Sequence, residues 1–219
     1  MLKGLRLYQA IIDRSEMLSV PFSVASNQCG FTADSLASCF GDLSRLKPHV
    51  LLDVLDRKRI DKIAAFLGCS GFRVLQMADV FCWSDYCLIQ TSSVFKASSN
   101  AQDSRLAADY FDSVTKSNVV GSAEFIIDEL VAATWSTDLR EAAEKTQIPF
   151  LKLRSWRVGK PSPTLKDLEA IRVLAKHLDM GTPLVMMALG VITPDDFMID
   201  GVAIDIEAEL NHALDVEIL

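Results

Sequence analysis

No stretch of this 219-residue chain is apolar for long enough to cross a bilayer: the longest apolar run, Pro183 to Ile192, is about half of the roughly 20 residues required. Lys3 and Arg6 are followed by Asp13 and Glu16 before an apolar stretch of adequate length forms, so no signal peptide is expected. Cysteine is scarce and odd in number, five, which argues against a disulfide framework and for reduced core thiols in a cytoplasmic setting. Glycine (10) and proline (7) are few and stand mostly at the edges of helical patterns, and period-2 alternation is rare, so the expected class is mainly α. The glycine-rich and Gly-x-Ser-x-Gly signatures of phosphate loops, dinucleotide sites and nucleophile elbows are missing, and an enzyme is not expected. His49, His177 and His212 are isolated from one another. Cys82 and Cys87 have a spacing that zinc would accept, but no second pair follows at a usable distance. Neither a metal nor a cofactor is therefore expected, and Phe81, Trp83 and Tyr86 read as a small satellite core.

What is present is apolar: 50% of the residues are hydrophobic and mean hydropathy is +0.23, which excludes general disorder and leaves room for a real core. The net charge of -7 argues against a wholly basic surface, but it is unevenly spread. Residues 1–137 are nearly balanced, residues 138–192 hold nine Lys/Arg against six Asp/Glu, and residues 193–219 hold eight Asp/Glu and no Lys/Arg. Polar residues around 90–104 read as a linker. The expected organisation is one domain over 1–90, a linker with a helix over 91–120, a second domain over 121–192 and an acidic tail over 193–219.

The two domains look alike. Ile60–Phe81 laid over Ile171–Ile192 matches identical residues at five places, with apolar facing apolar at most others. Upstream, residues 21–40 lie over 137–156 if about six extra residues are allowed near Asp42–Lys47, an order of length that loops tolerate. Each copy opens with an amphipathic helix, Leu5–Leu18 and Ala123–Ala133, containing Ile-Ile-Asp. The shared burial pattern reads as an internal duplication.

In the second copy the helix boundaries follow from side-chain chemistry. Asp138 can cap a helix to about 146, Pro149 suits the first turn of the next, and Gly159, Pro161 and Pro163 stop it. Thr164 can cap a longer helix with a buried stripe at Leu165, Leu168, Ile171, Leu174 and Leu178, and Thr182-Pro183 starts the last, which ends near Gly190.

Two short helices at 138–146 and 149–157, joined by a tight turn and braced by three others, are the arrangement that lays a second helix in a DNA major groove. The residues LREAAEKTQIPFLKLRSWRVGKPSP (139–163) and TLKDLEAIRVLAKHLDMGTPLVMMALG (164–190) resemble the phage-repressor (Cro-type) helix-turn-helix family. The likeness lies in the small pair Ala142-Ala143, apolar Ile148 in the turn, Leu153 and Trp156, Gly159-Lys160 after the second helix and Leu-Ala-x-x-Leu at 174–178. It is strongest over 121–192, with a weaker second copy over 1–81. The resemblance implies two tandem five-helix helix-turn-helix-like domains and a sequence-specific transcriptional regulator, binding double-stranded DNA as a homodimer. It also implies contact through Arg140, Lys145, Gln147, Phe150, Lys152, Arg154, Ser155, Arg157 and Lys160.

Departures from the family pattern point to an alternative. Phe150 and Leu151 stand where polar base readers are usual, and apolar side chains read little beyond a thymine methyl. An antiactivator or antirepressor would instead use them as anchors on a regulatory protein partner. The first copy carries Asp34 and no Lys or Arg on its second helix, which disfavours phosphate; its basic cluster Arg57-Lys58-Arg59 and Lys62 reads as a solvated face. The alternation from Phe197 to Glu207 around Gly201 suggests a short β-hairpin, with a further turn of helix at Glu209–Leu214. That tail is expected to close the second domain, to act as a dimerisation strand, or to compete with phosphate for the cations at 140–160.

Overall fold

The computed structural model describes residues 4–40, 54–81, 85, 123–200 and 202–204. The 91–120 linker helix, the extra residues at Asp42–Lys47, Cys82, Trp83, Tyr86, Cys87, His49, His212 and the turn at Glu209–Leu214 lie outside the described residues. The protein is mainly helical. No described helix is long and apolar enough to cross a membrane. The chain divides into two compact units: described residues up to Phe81 together with 195–204, and Asp85 together with 123–194.

The first unit contains α1 (Leu5–Met17), α2 (Phe22–Gln28), α3 (Ala33–Phe40), α4 (Arg57–Leu67) and α5 (Gly71–Met77). Local chemistry sets its ends. The Asp56 carboxylate accepts from the Arg59 amide at 2.9 Å to cap α4, and the Ser70 hydroxyl accepts from the Arg73 amide at 3.1 Å to cap α5. Gly68 turns the chain left-handed between them (φ 68°), a conformation without steric cost only for glycine. Leu7 and Ile11 of α1, Ile60 and Ile63 of α4, and Phe72, Val74 and Leu75 of α5 are buried in one core.

The second unit contains α6 (Ala123–Ala133), α7 (Leu139–Thr146), α8 (Phe150–Arg157), α9 (Leu168–Leu178) and α10 (Thr182–Ala188). The Asp138 carboxylate accepts from the amides of Arg140 and Glu141 at 2.8 and 2.9 Å. Thr164 and Asp167 form a reciprocal capping box. That box opens a 3-10 turn, Leu165–Asp167, and α9 starts only at Leu168, so Leu165 is buried from the turn and not from the helix. Leu168, Ile171 and Leu174 form the buried stripe; Leu178 is half-buried.

The units repeat one arrangement. Their five described α-helices follow in the same order, and the same helix pairs pack in each, with α1 or α6 touching all four of its companions. The backbone turns left-handed at the same four points: Ser19 and Trp135, Gly30 and Gln147, Gly68 and Asp179, Asp79 and Gly190. Gly30 thus corresponds to Gln147, whereas the sequence superposition set it over Thr146, one residue away. With that shift the buried small pair Ala25-Ser26 of α2 corresponds to Ala142-Ala143 of α7.

Two expectations change. The basic cluster of the first copy is not merely a solvated face: the Arg59 guanidinium donates to the carbonyls of Gly30 and Val54 and lies 5.1 Å from the Phe31 ring centre, and Arg57 pairs with Asp61 and Asp196. Within the acidic stretch, residues 195–204 do not close the second domain. A 3-10 turn (Pro194–Phe197) leads into an antiparallel pair, β1 (Met198–Ile199) and β2 (Val202–Ala203), and residues 195–204 belong to the first unit. The reason is apolar: Phe197 is buried and stacks on Phe72 with ring centres 4.7 Å apart.

Candidate nucleic-acid interface on α7 and α8

The α7–α8 pair is held by a small apolar contact. Ala142 and Ala143 let the helices approach, Gln147 makes the left-handed turn at φ 59°, and Ile148, Leu153 and Trp156 are buried beneath α8. Burial of Leu153 and Trp156 fixes the rotation of α8, so that Leu151, Arg154 and Val158 face outward. Leu151 is 72% exposed and Val158 64%. Pro149 precedes the first turn, and Gly159 (φ 67°) ends the helix through its amide, which donates to the Trp156 carbonyl.

The nine candidate residues are gathered on this pair and its edge, but they are not equivalent. Arg140 is exposed, with its guanidinium 5.2 Å from the ring centre of half-buried Phe150. Lys145 donates to the carbonyls of Thr134 and Trp135, both at 2.9 Å, and pairs with Glu141 at 2.8 Å, which ties the end of α7 to the end of α6. Lys152 pairs with Asp167 at 2.8 Å and lies 5.7 Å from the Trp156 ring centre. Arg157 pairs with Asp128 at 2.9 Å, both side chains about half exposed. The Ser155 hydroxyl donates to the Lys152 carbonyl at 2.8 Å. Gln147, Arg154 and Lys160 are exposed, and among the described residues neither Arg154 nor Lys160 makes an ion pair.

Sequence reasoning missed the countercharges Asp128, Asp167 and Glu141. An acidic residue 29 positions from Arg157 leaves no local signal, whereas the four-residue spacing of Glu141 and Lys145 was available as a helix pair. The pairing pulls the Glu141 carboxyl down to about 2, first through the Lys145 ammonium and then through the amide and hydroxyl of Thr137. Trp135, 91% exposed after α6, was not singled out either. An open cleft of about 470 Å³ runs beside the turn, lined by Arg140, Ala143, Glu144, Gln147, Ile148, Pro149 and Phe150. No cluster of metal-ligating side chains occurs among the described residues. The face is thus a mixed surface in which free cations alternate with exposed apolar side chains. Comparison with known protein families, with curated proteins and with solved structures finds no match to this chain.

Proposed function

We propose that this chain is a sequence-specific, double-stranded-DNA-binding transcriptional regulator of the cytoplasm, acting as a homodimer. In this reading α7 and α8 are the helix-turn-helix of the second domain and the first domain is a degenerate tandem copy. The observation that carries the proposal is Arg154, exposed at the middle of the outward face of α8 and without an ion pair among the described residues. A guanidinium in that position suits a bidentate contact to a guanine edge, and Leu151 and Val158 beside it suit thymine methyl groups. Arg140, Arg157 and Lys160 flank it for phosphates. The Arg157–Asp128 pair is half exposed, and such pairs contribute only about 0–1 kcal/mol, so a phosphate can take the place of the carboxylate at little cost. Selection of bound sequences from a random duplex pool tests the proposal: a recovered consensus supports it, and recovery of unenriched sequence at low salt refutes it.

The exposure of Leu151 and Val158 favours a second reading, an antiactivator or antirepressor that lays the same face on another regulator. Leu151→Ser separates the two. Loss of duplex binding limited to sites containing thymine at one position fits base contact, whereas unchanged duplex behaviour with loss of regulation in cells fits a protein partner.

A further inference from the structure

Asp85 and Asp196 hold the same place in the repeat. Each lies four residues beyond the end of the superposed stretches, Phe81 and Ile192, which are both buried just after a left-handed turn at Asp79 or Gly190. Yet each belongs to the unit that the other repeat builds: Asp85, following the first repeat, is in the second unit, and Asp196, following the second repeat, is in the first.

They land on equivalent spots. The Thr182 hydroxyl, on the first residue of α10, donates to the Asp85 carboxylate at 2.5 Å, and Asp85 pairs with Arg172 of α9 at 3.3 Å. Asp196 sits against Gly71, the first residue of α5, and pairs with Arg57 of α4. A Cβ on Gly71 would run into the Asp196 carboxylate, with the Asp196 Cα only 3.3 Å away; at the equivalent position the second repeat carries the hydroxyl of Thr182. Asp85 is 3% exposed and Asp196 fully buried. Burying a carboxylate is costly unless it is paired and hydrogen-bonded, so a chance docking of this kind is improbable once and more so twice at one repeat position. Phe197 adds apolar anchorage through Phe72, and the Ile204 amide donates to the Phe197 carbonyl at 2.9 Å, closing the docked segment.

We propose that the two repeats complete each other by reciprocal exchange: Asp85, which follows the first repeat, docks at the last helix of the second unit, and Asp196 with the residues to Ile204, which follow the second repeat, at the last helix of the first. The chain is then the single-chain counterpart of a segment-exchanged dimer. The inference is independent of the DNA-binding reading.

The test uses the full chain with a protease site placed between Asn100 and Ala101, cut after folding. The expected result is one particle carrying both fragments under native conditions, which the pair D85N and D196N disperses. Separation of the cut, otherwise unaltered protein into two folded particles overturns the proposal. Hydrogen exchange on the uncut chain supplies a local readout. D196N should accelerate exchange in residues 71–77 by about tenfold or more and leave 182–188 unchanged, with D85N doing the reverse, as expected when one partner of a buried ion pair is removed. Equal loosening of both helices, or of neither, also overturns it. If either variant fails to fold, the cut unaltered protein still decides.

Discussion

If α8 meets DNA, the salt dependence of binding should follow from which cations are at liberty to meet phosphate. Lys145 is committed to two carbonyls and Glu141, and Lys152 to Asp167, which leaves Arg140, Arg154, Arg157 and Lys160. Four phosphate contacts correspond to a log–log slope of about −3.6, or a loss of about 150-fold in affinity between about 50 and 200 mM salt. Charge reversal of Arg154 and Arg157 together should halve the slope to about −1.8, leave a loss of only about 12-fold over the same range, and weaken binding at the low-salt end. Fluorescence anisotropy with a labelled duplex measures both quantities, and Lys176→Glu, exposed on α9, serves as a control for charge reversal away from α7 and α8. The reasoning fails if the protein does not bind duplex at about 50 mM salt, or if the double reversal and the control change the slope equally.

Trp156 is the largest fully buried side chain among the described residues, and Trp156→Ala should lower unfolding stability by about 3–5 kcal/mol in a denaturant titration. A loss under 1 kcal/mol would mean that α8 does not depend on this contact for its position. Glu141 ionises in the fold well below its ordinary value of 4.5, so its support for the α6–α7 junction is fully present above that value and is lost as pH falls toward about 2. Glu141→Gln should therefore flatten the acid limb of a stability–pH profile, which thermal melts can follow. Burial pushes the Cys29 thiol up from 9.0 to about 12, so the fold favours the neutral thiol, and stability from this site is lost as pH rises from 9 toward 12. At neutral pH a thiol reagent should label Cys29 only as fast as the first unit opens, and labelling of Cys29 at the rate of a free peptide would refute its burial.

Helix boundaries in the second copy were legible because they rest on neighbours in the chain. Asp138, Pro149, Gly159 and the Thr164–Asp167 pair act on amides and dihedral angles within three or four residues; α7 and α8 fall where those residues put them, and the capping box opens the turn that leads into α9. The repeat of burial in α4–α5 and α9–α10 was legible for the same reason, since an apolar stripe is a periodic property. The superposition of residues 21–40 on 137–156 was one residue off because Gln147 adopts the left-handed conformation that glycine marks openly at position 30.

Tertiary structure alone decided which cations are engaged and where the acidic stretch goes. Arg157 meets Asp128, and Lys152 meets Asp167, because packing of α6, α8 and the turn before α9 brings distant residues together, and no periodicity records such a meeting. Asp196 runs against the local signal altogether: hydropathy sends a carboxylate to water, whereas the stacking of Phe197 on Phe72 and the pairing with Arg57 bury it in the first unit. Short-range rules specify helices and their caps. The partner of a charge is chosen by the whole fold, because its desolvation must be offset by groups that only the folded chain assembles.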